Sequence, residues 1–207
     1  MVIEVVPPKQ AIVPSFIAQN GTEFNFDLGA RVFNYGNQAQ ATVSLNAKIT
    51  NPSGATVYDN SVTGLSIAAG DSTDVYPGGT STLPQFSLAT YPAGTYTLTY
   101  TVGLGIADQY DADNVLTSTF TISDSLYSYA QADATTGLPA GGNYYRPGTN
   151  NQTYSACQVI DNANASRLKA NGIWFSATTS AASGVLLTGE EMALYLYKWE
   201  DVFADLN

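Results

Sequence analysis

One run constrains this chain more than any other feature. Over 95–102, Tyr96, Leu98, Tyr100 and Val102 alternate with Thr95, Thr97, Thr99 and Thr101. Successive side chains of a strand point to opposite faces. The spacing therefore sets an apolar stripe against a core and a threonine stripe against water. β-branched threonines at every second position disfavour a helix and suit a pleated surface. The same period recurs upstream. Phe24, Phe26, Leu28, Ala30 and Val32 share one parity over 24–33, and Asn25, Asp27, Gly29 and Arg31 share the other. Over 41–50, Val43, Leu45, Ala47 and Ile49 oppose Thr42, Ser44, Asn46 and Lys48. The turn Asn51-Pro-Ser-Gly54 then predicts a hairpin return over 56–62. A Gly70-Asp71 turn divides two short strands over 64–76, and 115–123 turns Leu116, Phe120 and Ile122 inward. About seven short strands, with turn signals every ~8–12 residues, predict an antiparallel β-sandwich.

The chain has 207 residues, about twice what one such sandwich uses. The stretch 126–141 is rich in Ala, Gly, Ser, Thr and Asp, lacks periodicity and reads as a linker. The expected organisation is therefore all-β, with two tandem sandwiches: an immunoglobulin-like domain over 1–125 and a second over 142–207. In the second, 166–177 carries large apolar groups on both parities, which predicts a strand covered on both sides. Over 190–198, Met192, Leu194 and Leu196 oppose Ala193, Tyr195 and Tyr197, which fits a strand or a short amphipathic helix. About four strands fall short of the seven or eight of a closed sandwich. The second domain is thus expected to be truncated, completed by a partner, or continued in a longer chain.

Composition closes several functional routes. The chain carries 7 basic and 17 acidic residues, a net charge of −10, which repels nucleic-acid backbones. It has no histidine, so Ser-His-Asp, Cys-His and His-ligated metal chemistry lack a member. Its one cysteine, Cys157, allows neither an internal disulfide nor a CxxC zinc site, and reads as buried filler. No apolar run approaches ~18 residues, so no membrane span is expected. The opening Met1-Val-Ile-Glu-Val-Val-Pro-Pro lacks a secretory signal, which fits a cytosolic chain, a mature one, or a piece of a longer one. The lysine-poor, Thr/Ser/Asn/Gly-rich texture favours an extracellular bacterial module.

The candidates for chemistry are few. Asp108, Asp111 and Asp113, with Asn114, could offer hard oxygens to calcium. Their spacing is not that of an EF-hand, and the alternative is a solvated loop whose Asn caps a turn. No other cofactor is expected. Tyr91, Tyr96 and Tyr100 could form a platform for sugar rings. Tyr96 and Tyr100 share parity with Leu98 and Val102, which favours core, with Tyr96 as a tyrosine corner bonding upstream backbone. Tyr127, Tyr129, Tyr144, Tyr145 and Arg146 could line an interdomain cleft or pack the domains together. Trp174, Trp199, Tyr195 and Tyr197 could form a sugar-binding strip, a contact between copies, or a core left partly open. Glu190 and Glu191 point to opposite faces of a strand, and neither they nor Asp201 and Asp205 form a convincing glycosidase pair. No catalytic residue is expected.

Several segments together carry a resemblance. They are Asn20-Gly-Thr-Glu-Phe24, Val32-Phe-Asn-Tyr-Gly36, Gly94-Thr-Tyr-Thr-Leu-Thr-Tyr-Thr-Val102, Asp108-Gln-Tyr-Asp-Ala-Asp-Asn114, Phe120-Thr-Ile122 and Asp124-Ser-Leu-Tyr127. The series resembles the immunoglobulin-like (CARDB or fibronectin type III-like) modules of secreted Bacteroidota surface proteins, often exported by the type IX system. Cys157-Gln-Val-Ile160, Ala165-Ser-Arg-Leu168, Trp174-Phe175 and Leu194-Tyr-Leu-Tyr-Lys-Trp199 are similar to central strands of the jelly-roll-like sandwich that commonly follows. The resemblance implies a modular, extracellular or cell-surface protein and no catalytic residues. The expected function is a non-catalytic structural or adhesive module, able to self-assemble by strand addition. Its partners would be other modules, copies of itself, or polysaccharide. The alternatives are a carbohydrate-binding accessory domain of a secreted hydrolase and, behind it, a hydrolase fragment.

Overall fold

The computed structural model describes residues 2–106, 108, 110–133, 136, 138, 140, 159–175, 177, 188–189, 191, 193–195 and 197. These residues are all-β, with ten strands, three single-turn 3-10 segments and no α-helix among them. Met1–Trp174 forms one compact unit and Phe175–Asn207 a second.

In chain order the strands are β1 (Val2–Val5), β2 (Ile12–Pro14), β3 (Asn25–Phe26), β4 (Ala30–Phe33), β5 (Gln40–Thr50), β6 (Thr56–Ile67), β7 (Ser72–Val75), β8 (Phe86–Ser87), β9 (Gly94–Gly103) and β10 (Val115–Ser123). The larger sheet has the order β2-β10-β9-β5-β6. A three-stranded sheet, β1-β4-β7, and a short pair, β3-β8, complete the ladders. All pairings are antiparallel except that of β2 with β10. The chain leaves one sheet after β4 and returns to it at β7, while β5 and β6 pair in the other. Inward residues of both sheets, among them Val32, Val75, Leu45, Ile49, Leu98 and Phe120, share one hydrophobic core. This is an immunoglobulin-like sandwich.

The alternation over 95–102 is realised in full. Tyr96, Leu98, Tyr100 and Val102 are buried, and the threonines between them are half-buried or exposed on the outer face. The strand expected over 24–33 keeps its parity but breaks into β3 and β4. The reason lies at Gly29, where a Cβ would collide with the Val75 carbonyl and the Tyr76 ring. Its N–H leaves the ladder and donates to the Tyr100 hydroxyl at 3.0 Å. β6 runs five residues beyond the expected 56–62, ending at Ile67, because Gly64 takes a left-handed φ of 74° and carries the strand through an irregular stretch.

Buried phenols tie the layers together. Tyr100 donates to the Val6 carbonyl at 3.2 Å. Tyr91 donates to the Phe24 carbonyl at 2.5 Å and accepts the Leu88 N–H at 2.9 Å. Tyr96 donates to the Pro92 carbonyl at 3.0 Å, which is the expected tyrosine corner. Tyr96 also stacks on Phe120 with ring centroids 4.8 Å apart. Each of these hydroxyls is thus hydrogen-bonded where its ring is buried.

Downstream of β10, Ala165–Arg167 forms a 3-10 turn. Arg167 ion-pairs with Glu23 at 2.8 Å and donates to the Phe16 carbonyl at 3.2 Å, while Leu168 packs on the core. The described residues of 166–177 do not form the expected strand. Side-chain anchors to the 15–23 region hold this stretch, and no ladder does. Over 190–198 the described residues 191, 193–195 and 197 show no strand, and most of the expected second sandwich over 142–207 falls outside the described residues.

Candidate functional site

At one end of the sandwich the β4–β5 loop, the adjoining ends of β4, β5, β6 and β9, and described residues of the β9–β10 loop line a cavity of about 370 Å³. Its floor is the top of the core, where Val32, Val43, Ile67 and Val102 are buried. Its rim is mixed. Tyr35 and Tyr110, each 66% exposed, stand there with Ile106, and Asn37, Gln38, Gln40 and two carboxylates line the same space.

Sequence chemistry fixes both walls. In the β4–β5 loop, Asn34 accepts the Gly36 N–H on its side-chain oxygen at 2.9 Å. Its amide nitrogen donates to the carbonyls of Gln38 at 2.8 Å and Ala68 at 3.1 Å. Its backbone N–H reaches the Asp71 carbonyl at 2.9 Å. One asparagine thereby ties this loop to the β6–β7 turn, the use of a short amide side chain that turns favour. Phe33 and Tyr35 pack ring to ring at 4.2 Å, which supports the exposed Tyr35 from below.

The opposite wall is the acidic loop. Asp111–Asp113 forms a 3-10 turn, and the Asn114 N–H donates to the Asp111 carbonyl at 3.1 Å. Asp108 accepts the Tyr110 N–H at 3.1 Å and the Asn114 side-chain amide at 2.7 Å. The expected side-chain cap by Asn is not found: Asn114 is buried, its backbone N–H closes the turn, its side-chain amide goes to Asp108, and its backbone carbonyl receives the Val102 N–H at 2.8 Å. Among the described residues no group of three or more His, Cys, Asp or Glu side chains is placed to hold a metal ion. Asp108 and Asp113 face the cavity; the Asp108 oxygens already order the loop.

The remaining candidates separate clearly. Tyr91, Tyr96 and Tyr100 are buried and are not a sugar platform. Tyr127 and Tyr129 meet edge to face at 5.5 Å, with the Lys9 ammonium 5.9 Å over the Tyr129 ring and Gln10 donating to the Tyr127 hydroxyl at 3.4 Å. They pack on the N-terminal segment. Trp174 is exposed, and Tyr195 and Tyr197 are exposed with their rings stacked at 6.0 Å. Tyr144, Tyr145, Arg146, Cys157, Glu190, Trp199, Asp201 and Asp205 lie outside the described residues.

Displaced titrations have structural causes. Burial pushes Tyr58 and Tyr96 up to about 12, and raises Tyr91 and Tyr100 as well. Glu23 is held below the usual carboxylate range, first by its hydrogen bond from Arg167. Asp74 is lowered by the paired hydrogen bonds of Arg31, at 2.6 and 2.9 Å. Phenols pushed up and carboxyls pushed down are the reverse of what a neutral-pH base or acid needs.

No family model and no curated protein matches the chain in sequence. Solved structures do match in shape. The CARDB domain of a Pyrococcus furiosus protein, solved in complex with di-metal ions, shares 15% identity at a TM-score of 0.38, over 58% of this chain and 89% of that one. A domain of a Methanosarcina acetivorans chain assigned as a cell surface protein shares 19% identity at a TM-score of 0.30, over 59% of this chain and 93% of that one. A Bacteroides fragilis chain assigned as a beta-galactosidase shares 14% identity at a TM-score of 0.37, over 57% of this chain and 16% of that one. The fold assignment itself rests on the ladders and the shared core described above.

Neither tyrosine of the rim stands out in the sequence as a site residue. Tyr35 sits in a turn and Tyr110 inside an acidic run, and alternation is silent about loops. The signal that marks them is a large aromatic residue in a loop with no core parity to satisfy.

Proposed function

We propose that this chain is a non-catalytic structural or adhesive module of an extracellular or cell-surface bacterial protein. The observation that carries this reading is the fate of the displaced titratable groups. Glu23 and Asp74 are spent in ion pairs, and Tyr58, Tyr91, Tyr96 and Tyr100 are pushed away from neutrality by burial. A rigid sandwich sealed by aromatic residues, presenting loops at one end, suits spacing and contact. The small share of charged residues, 12%, and the threonine-rich outer face suit an extracellular surface. A second sandwich over 142–207, a Bacteroidota source and type IX export extend the same proposal.

Immunofluorescence of intact, unpermeabilised source cells with an antibody to 1–125, alongside fractionation of the medium, tests the placement. Surface labelling or recovery from the medium is expected. Signal confined to permeabilised cells contradicts it.

A further inference from the structure

We propose that the loop-end cavity is a binding site for a short neutral saccharide. The inference rests on the adhesive, non-catalytic reading above and names the ligand class that such a module would hold.

The cavity, at about 370 Å³, sits at the lower end of the ~300–1,000 Å³ range of small-ligand sites. It combines three surfaces that a sugar ring requires together. Tyr35 and Tyr110 offer aromatic faces to the apolar C–H faces of a ring, and both are solvent-exposed without a ligand. Asn37, Gln38 and Gln40 line the same space and supply both donors and acceptors for hydroxyls. Asp113 adds acceptor oxygens. No lysine or arginine is among the described lining residues, and the net charge is −10. An anionic glycan or a phosphate therefore meets repulsion with nothing to offset it. A simple ammonium ligand would use the rings and carboxylates but leave the amides without a role.

Hydrogen bonds hold the β4–β5 loop and the described part of the β9–β10 loop without any ligand. Asn34 fixes the β4–β5 loop to the β6–β7 turn. Asp108 ties Tyr110 and Asn114 together in the β9–β10 loop. Loops ordered in advance lose little freedom on binding, which favours affinity in a small site. The exposed aromatic residues thus stand on two different strand connections, the arrangement by which immunoglobulin-like domains present contact surfaces at one end.

The test is a titration of the full ¹⁵N-labelled chain with a panel of neutral gluco-, galacto- and manno-configured oligosaccharides, with a polyuronate and choline as controls. Saturable shifts are expected at amides of 34–40 and 104–114 for at least one neutral saccharide. Tyr35→Ala and Tyr110→Ala should each weaken that binding by at least about tenfold, as loss of a contact anchor does. Both side chains are exposed, so the variants should keep the parent spectrum elsewhere. Tyr197→Ala should leave binding unchanged. The proposal is overturned if no neutral saccharide gives saturable shifts, if both tyrosine variants bind as the parent does, or if the polyuronate or choline binds in preference. Cleavage of the bound saccharide would leave this site standing and overturn the non-catalytic reading instead.

Discussion

Replacing Tyr100 by phenylalanine removes a single oxygen from the centre of the sandwich. That oxygen accepts the Gly29 N–H at 3.0 Å and donates to the Val6 carbonyl at 3.2 Å, so it links β9 to the start of β4 and to the chain after β1. The two lost partners are not equivalent. Gly29 is buried, and its amide is left without water or an alternative acceptor. Val6 is only half-buried, so its carbonyl can be rehydrated. An orphaned buried donor costs about 1–3 kcal/mol; adding little for Val6, the expected loss is about 2 kcal/mol. For a unit of this size that lowers the melting temperature by about 4–8 °C. Tyr96→Phe is the internal control. Its lost partner, the carbonyl of the exposed Pro92, returns to water, and the expected loss is about 1 kcal/mol or less. Denaturant unfolding of the parent and the two variants side by side measures both. Hydrogen exchange at the Gly29 amide should also quicken in the Tyr100→Phe variant. A loss below about 0.5 kcal/mol for Tyr100→Phe, or a loss no larger than that of Tyr96→Phe, would refute the assignment of this hydroxyl as the tie between sheets.

Further outcomes follow from the same geometry. Tyr58 and Tyr96 titrate near 12 when folded against an ordinary 10. The unfolded chain then releases protons first, so stability should be intact below pH 10 and fall between pH 10 and 12, as alkaline melting curves will show. Gly94 has a φ of 127°, and a Cβ there would lie 2.7 Å from the Pro52 ring. Gly94→Ala should therefore cost at least about 2 kcal/mol in urea unfolding, through backbone strain and crowding together. Calcium and chelator should leave the melting temperature unchanged, since Asp108 already accepts two internal hydrogen bonds; a calcium-dependent rise would restore the metal reading. Glu23 is held low by Arg167. Its contribution is present above the usual carboxylate range and lost as the pH falls through it, so amide exchange around 165–168 should quicken on acidification and in Arg167→Ala at neutral pH.

The strands were legible where a side chain's face decides its burial. The outer bounds of β5, β9 and β10 lie within one residue of those expected over 41–50, 95–102 and 115–123. The inward set of Phe24, Phe26, Leu28, Ala30 and Val32 is buried as its parity required. Interruptions were not legible, because they depend on tertiary contacts. Gly29 breaks its strand through the approach of Val75 and Tyr100, neither of which is near in sequence. The three-residue β2 exists through a parallel ladder to β10, from Thr121↔Ile12 to Ser123↔Pro14, and no local pattern announces it. β1 and β8 likewise take their order from partners. At the site, the acidic run was visible and its wall position was not. Asp108 orders a loop, while the exposed rings of Tyr35 and Tyr110 at the cavity lie in segments where periodicity carries no information.

The most direct measurement of the central claim is product analysis by mass spectrometry after prolonged incubation of the purified full chain with oligosaccharide, ester and peptide substrate panels. Every substrate should be recovered at its starting mass. A shortened product that scales with protein concentration and survives repurification of the chain would contradict it.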